Sequence, residues 1–283
     1  MRFAPRSAPR SNVSVRSRQP RLPGPIIFLA VCAIAFFVLP LAGLAWRAPW
    51  SKALDVLTQP SIRQALWLSI RTSLLAAIFA FVLGVPLAWL IARVDFPGRK
   101  LVRALATISM VLPPVVSGVA LFFSFGRRGL FGQYLNDWFG ITLPFTTSAV
   151  VLAQCFVAMP FLVLTVESAI RQSDPRFEDA ARTLGASQWY VFRRVTLPNI
   201  KPALIAGLVL AWARALGEFG ATITFAGNLP GATRTMSLAT YLALETDPES
   251  ALILSLAMIA ISFVVIVALR DRWLDHSPSR IMP

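Results

Sequence analysis

Six long apolar stretches set what this chain can fold into before any motif is read. They run over about 25–46, 66–92, 104–125, 147–169, 203–226 and 250–269. Each holds roughly 20 or more largely apolar residues, the length a helix needs to cross a hydrocarbon core of about 30 Å. No water reaches backbone N–H and C=O groups there, so each stretch must satisfy them internally as a helix. The expected fold is an all-α membrane protein with six transmembrane helices. Of the 283 residues, 56% are hydrophobic and 14% charged, which excludes an ordinary soluble domain.

The flanks read differently. Residues 1–24 carry six Arg and no acid, and are expected to form a disordered basic arm. The apolar run after them is long enough to remain as a span rather than be cleaved as a signal. The transmembrane domain is expected over 25–270, with a tail over 271–283. The net charge of +14 does not point to nucleic acid. The basic residues cluster between apolar runs, without the interleaved aromatics of a single-strand reader. Most of them fall at the two ends, in the 93–103 loop and around 171–201. By the positive-inside rule, both termini are cytoplasmic. The arm reads as a positive-inside tail, with at most a weak attraction of its six Arg to anionic lipid.

Several functions lose support. Cys32 and Cys155 lie inside apolar runs, so neither a disulfide nor a metal site is expected. The lone histidine, His276, is assigned no role. No lysine follows a phosphate-cradling glycine pattern, so any ATP used is hydrolysed by another polypeptide. No strong internal repeat appears, which disfavours a repeat-built secondary transporter.

Between the fourth and fifth apolar runs lies a polar segment, 174–202, unusually dense in local signals. Asp174 is an expected N-cap and Pro175 an expected first helical residue. Glu178 and Asp179 sit where a helix dipole favours anions. Gly185 stops this helix. A second short helix follows from about Ser187, basic at Arg193 and Arg194, and is expected to end at Leu197-Pro198. Two amphipathic helices with a glycine corner make a docking knob for a partner's groove.

These residues resemble the cytoplasmic motif of ABC importer permeases. That motif runs Glu-Ala-Ala, then Gly four residues after the second alanine, then Ile-x-Leu-Pro after nine more. Here it matches Asp179, Ala180, Ala181, Gly185, Val195, Leu197 and Pro198, with Asp for Glu and Val for Ile; Glu178 stands just before it. The resemblance implies that this segment couples the chain to an ATPase.

Two further stretches carry membrane-depth chemistry. Pro113-Pro114, in LPPVVSG over 112–118, must kink or break the third helix, and Ser117 and Gly118 allow close approach of a neighbour. LPPVV is similar to a stretch of anion-importer permeases. In the fifth run, Arg214 lies about 17 Å from the start of the span at the helical rise. A lone charge there is expensive, and Glu218, four residues on, shares its helix face. Gly217 and Gly220 loosen the helix, and Thr222 and Thr224 add hydroxyls. The pair either fixes packing or meets an anion in the pore.

GEFGATITFAGN over 217–228, then PG, TRTMSLATY and ALETDPESA, closely resembles molybdate importer permeases, over about 66–273. The resemblance implies a type I (MetI-like) permease, an inner-membrane subunit that dimerises with a second copy of itself. Two cytoplasmic ABC ATPases use ATP and Mg, and an extracytoplasmic binding protein delivers molybdate or the similar tungstate. The chain itself would bind no cofactor and catalyse no reaction. The alternatives are a sulfate or thiosulfate permease, an ion-coupled secondary anion transporter, and a membrane-embedded enzyme. The last lacks any catalytic constellation beyond Arg214 with Glu218.

Overall fold

The computed structural model describes residues 24–274. The arm expected over 1–24, except its last residue, and the tail from 275 onward lie outside them. The described residues are overwhelmingly helical and fall into two compact units, divided at Arg47 and Ala48. The described part of the first unit is one helix, α1 (Gly24–Arg47), with Pro40 inside it. It is apolar all round and none of its residues is buried, as suits a helix surrounded by lipid.

The second unit holds the remaining helices. In order they are α2 (Ala53–Thr58), α3 (Pro60–Arg93), α4 (Arg99–Val111), α5 (Pro114–Phe125), α6 (Gly132–Phe139) and α7 (Thr147–Gln172). Then come α8 (Arg176–Thr183), α9 (Gln188–Asn199), α10 (Lys201–Leu216), α11 (Gly220–Ala226), α12 (Met236–Thr246) and α13 (Pro248–Leu274).

The core is built on α7, which packs against α3 on one side and α10 on another. The buried face of α3 is a row of small residues: Ala76, Ala80, Gly84 and Ala88. They recur at helical spacing, so the backbones can approach closely. A Cβ at Gly84 would lie 3.0 Å from Leu162 Cδ2, and one at Gly207 of α10 would lie 3.2 Å from Leu162 Cδ1. The opposite face of α3 exposes Leu74, Ile78, Phe79, Val82 and Leu83. Between helices in lipid, close packing of small residues replaces the hydrophobic drive available in water.

Smaller clusters join the other helices. Leu121 of α5 meets Ala149, Val150, Ala153 and Val157 of α7 and Ala221, Phe225 and Ala226 of α11. Met236 and Ala239 of α12 pack with Val56, Ala65, Ile253 and Leu254. The first residue of α12 is tied back to α3, where Met236 N–H donates to Ser69 Oγ over 2.6 Å.

Among the described residues, four helices are each long and apolar enough to cross a membrane: α1, α3, α7 and α13. The third and fifth expected spans are each broken in two. Pro113 leaves Leu112 extended (ψ 133°), so α4 ends there and Pro114 opens α5. The fifth breaks at Gly217–Phe219, between α10 and α11. Pro86 and Pro160 stay inside α3 and α7 without ending them. The second helix of the 174–202 segment does not stop at Leu197-Pro198. It continues through a wide π turn at Phe192–Thr196 to Asn199, then bends by 78° into α10 at Ile200. The expected tail begins inside α13, which runs on to Leu274.

Candidate functional site

The expected site residues gather at two places, a knob at the basic end of the bundle and a junction of broken helices. In the knob, α8 starts one residue later than expected, with Pro175 at the cap position, and Asp174 Oδ1 accepts from the N–H of its first residue, Arg176 (3.0 Å). At the far end of α8, Gly185 adopts φ +84°. There Ala186 N–H reaches Ala181 O (3.0 Å) and Gly185 N–H reaches Arg182 O (2.9 Å). That pair of bonds is a Schellman closure, and it needs the left-handed residue that glycine supplies. Ser187 Oγ then accepts from Tyr190 N–H (3.2 Å) and caps α9.

The two neighbouring acids have different roles. Glu178 has a side chain only 4% exposed. Its Oε1 accepts from Arg93 Nε (3.2 Å) and from Thr196 Oγ (3.0 Å). Arg93 also donates to Ser173 Oγ (2.7 Å). One carboxylate thus fastens the end of α3, α8 and α9 to one another. Asp179 faces outward and meets only Arg182 (3.0 Å). Ala180 is exposed and Ala181 half-buried, while Val195 and Leu197 are half-buried beside Pro198 on the surface.

The outer face of the knob is apolar and basic. Leu184 is 89% exposed, with Phe177, Trp189 and Tyr190 also open, and Arg193 and Arg194 stand beside them. Inside, Phe192 packs edge-on against Trp89 of α3 with ring centroids 5.5 Å apart. The knob is therefore rigid at its base and apolar at its tip, the arrangement of a helix offered to a groove.

A second buried acid next to the knob was not singled out in the sequence. Glu167 of α7 accepts from Arg171 Nε (2.8 Å) and lies 3.3 Å from Arg103 Nε of α4. Arg171 and Arg99 also donate to the carbonyl of Ile91 at the end of α3 (3.2 and 2.7 Å). Cations at a helix C-terminus satisfy its free carbonyls and its dipole. The signal was available: a glutamate inside an apolar run with arginine four residues on.

At the second place, the breaks of the third and fifth spans meet. Arg214 Nη1 lies 2.6 Å from Glu218 Oε2, and the Glu218 side chain is 1% exposed. Glu218 Oε1 accepts from Ala221 N–H (2.8 Å), capping α11. Gly217 ends α10, and Gly220 opens α11 against α5: a Cβ there would lie 2.7 Å from Pro114 Cβ. A Cβ at Gly118 would fall 1.7 Å from Thr224 Oγ, so only glycine fits. Ser117 and Thr222 are wholly buried, while Pro113 and Pro114 are exposed. Among the described residues, no group of three His, Cys, Asp or Glu could hold a metal ion.

Comparison with known proteins places these features in a family. Residues 80–282 match the family described as binding-protein-dependent transport system inner membrane component. The molybdenum transport system permease protein ModB of Mycobacterium tuberculosis is 43% identical over 251 residues, covering 89% of this chain and 95% of that one. The sulfate transport system permease protein CysT of Salmonella typhimurium is 36% identical over 245 residues, covering 85% and 87%. A solved bacterial ABC transporter that imports the acidic polysaccharide alginate superposes with a TM-score of 0.72 at 17% identity, covering 89% of this chain and 95% of its own, so the fold is shared. The chain belongs to the binding-protein-dependent transport system inner membrane components, as a helical permease subunit of an ABC importer and not an enzyme.

Proposed function

We propose that this chain is the pore-forming subunit of an ATP-driven importer for molybdate, with tungstate as a second substrate of like charge and size. One observation carries the substrate: identity to a molybdenum permease is 43%, against 36% to a sulfate permease, at comparable coverage. Two copies form the pore. An extracytoplasmic binding protein delivers the anion, and two cytoplasmic ATPases supply the energy. The chain crosses the inner membrane six times, with α4–α5 and α10–α11 each acting as one broken span. Both termini and the 174–202 segment are cytoplasmic.

The geometry of the knob supports the coupling role. Glu178 holds its base, and its exposed tip at Leu184, Trp189 and Tyr190 offers apolar area that none of the described residues covers. Pro113, Pro114, Ser117, Arg214, Gly217, Glu218, Gly220 and Thr222 form the moving centre of the pore. Arg214 and Glu218 neutralise one another there, and the paired glycines let α5 and α11 close on each other. Uptake of labelled molybdate in cells with and without the chain tests the substrate. Co-purification of an ATPase separates this reading from an ion-coupled carrier.

A further inference from the structure

We propose that the junction of α5 and α11 is an intramembrane binding site for a tetrahedral oxyanion. The inference deepens the permease reading and rests on it, because only a translocated oxyanion would occupy such a site. Three polar side chains on three helices are 0% exposed: Ser117 of α5, Gln154 of α7 and Thr222 of α11. Ser117 Oγ, Thr222 Oγ and both polar atoms of the Gln154 amide have no hydrogen-bond partner among the described residues. Burying such groups unpaired is costly, so native folds rarely do it without a use for them. The helices that carry them meet in one apolar cluster, which includes Leu121, Ala153 and Ala221.

The same junction contains the first turn of a twelve-residue helix in mid-span. Pro113 and Pro114 open α5, and no side chain caps it. Ser117 N–H is taken by Pro113 O, which leaves the N–H groups of Val115 and Val116 free. A free helix N-terminus favours negative charge. The buried hydroxyl of Ser117 sits one turn inside it.

The donor set selects an anion over a cation. Two backbone N–H groups, two hydroxyls and one amide NH₂ can donate, against the single obligate acceptor Gln154 Oε1. Glu218, just before α11, is already engaged, since it is paired with Arg214 and caps Ala221. An oxyanion with four acceptor oxygens suits these donors. In this structure α5 and α11 are closed on each other through Gly118–Thr224 and Gly220–Pro114. Separating them uncovers the donors to the pore.

Uptake of labelled molybdate and labelled sulfate, in cells with the natural partner subunits, tests the site. Ser117→Ala with Thr222→Val should lower maximal uptake roughly tenfold or more, because hydrogen bonds to a charged ligand are lost. Thermal stability of the extracted protein should stay level or rise, since two orphaned hydroxyls are gone. Thr222→Ser, which keeps the hydroxyl, should retain several-fold more uptake than Thr222→Val. Uptake by the double variant comparable with wild type overturns the site. A loss matched by an equal loss of folded protein overturns it as well. If wild type carries sulfate and not molybdate, the substrate reading fails and the same variants test the site on sulfate. If wild type carries neither anion, both fail.

Discussion

Arg93 Nε donates to Glu178 Oε1 over 3.2 Å, and this contact joins the end of the longest helix to the knob proposed to meet the ATPase. Thr196 donates to the same oxygen from α9. A push on the knob therefore reaches α3, and through α3 the core on α7, without passing through a flexible loop.

Glu178→Ala should damage the protein far more than Asp179→Ala. Removing one partner of a buried ion pair costs about 3–5 kcal/mol, and somewhat less here because Arg93 keeps some access to water. Asp179 meets only a surface arginine, and such pairs contribute little. Thermal stability of the extracted permease and uptake, measured for both variants, check this. A larger effect at Asp179 would contradict the role given to Glu178.

Gly185 separates backbone strain from partner contact. Nothing lies within 4 Å of a Cβ built there, so no side chain clashes inside the chain. Its φ of +84° costs an L-residue about 1–2 kcal/mol whatever the side chain. Gly185→Ala and Gly185→Leu should therefore be equally stable, while only Gly185→Leu, with bulk beside Leu184, uncouples ATPase activity from uptake in proteoliposomes. Full transport by Gly185→Leu would rule out docking at this corner.

Arg214 and Glu218 are expected to act as a structural pair. Arg214→Ala and Glu218→Ala should each reduce folded permease, by up to several kcal/mol, and the double variant should recover part of the loss. If Arg214 instead bound the anion directly, Arg214→Ala would fold well, lose uptake and gain nothing from the second substitution. Detergent-extracted stability together with uptake for all three variants decides between these outcomes.

Topology makes a separate prediction. Cysteines at Ser187, in the knob, and at Asn228, in the loop after α11, should label from opposite sides once Cys32 and Cys155 are removed. An impermeant reagent outside intact cells should reach only the second. Labelling of both would overturn the six-span arrangement.

The sequence revealed most where the information is local. Continuous apolar runs located α1 and α7 to within a few residues and the start of α13, which ends five residues later than expected, and Asp174, Gly185 and Ser187 marked the turns of the knob. The break at Pro113 was visible because proline removes a donor and restricts its predecessor. The sequence at Gly217–Phe219 reads only as a loosened helix, because glycine permits a break without requiring one. Glu167 and Gln154 were not singled out as site residues. Arg103, which meets Glu167, lies far away in sequence, and the burial of Gln154 depends on three helices meeting. The roles of Glu178 and Asp179 could not be separated from adjacent acids in a motif. Only the packing of α8 against α3 and α9 distinguishes them.

The central claim is that this chain carries molybdate across the inner membrane, and uptake of labelled molybdate and labelled sulfate tests it most directly. Cells lacking the chain should lose high-affinity molybdate uptake and molybdenum-dependent enzyme activities, both rescued by high external molybdate, while sulfate uptake and growth on sulfate continue. Loss of sulfate uptake with molybdate uptake intact would contradict the account.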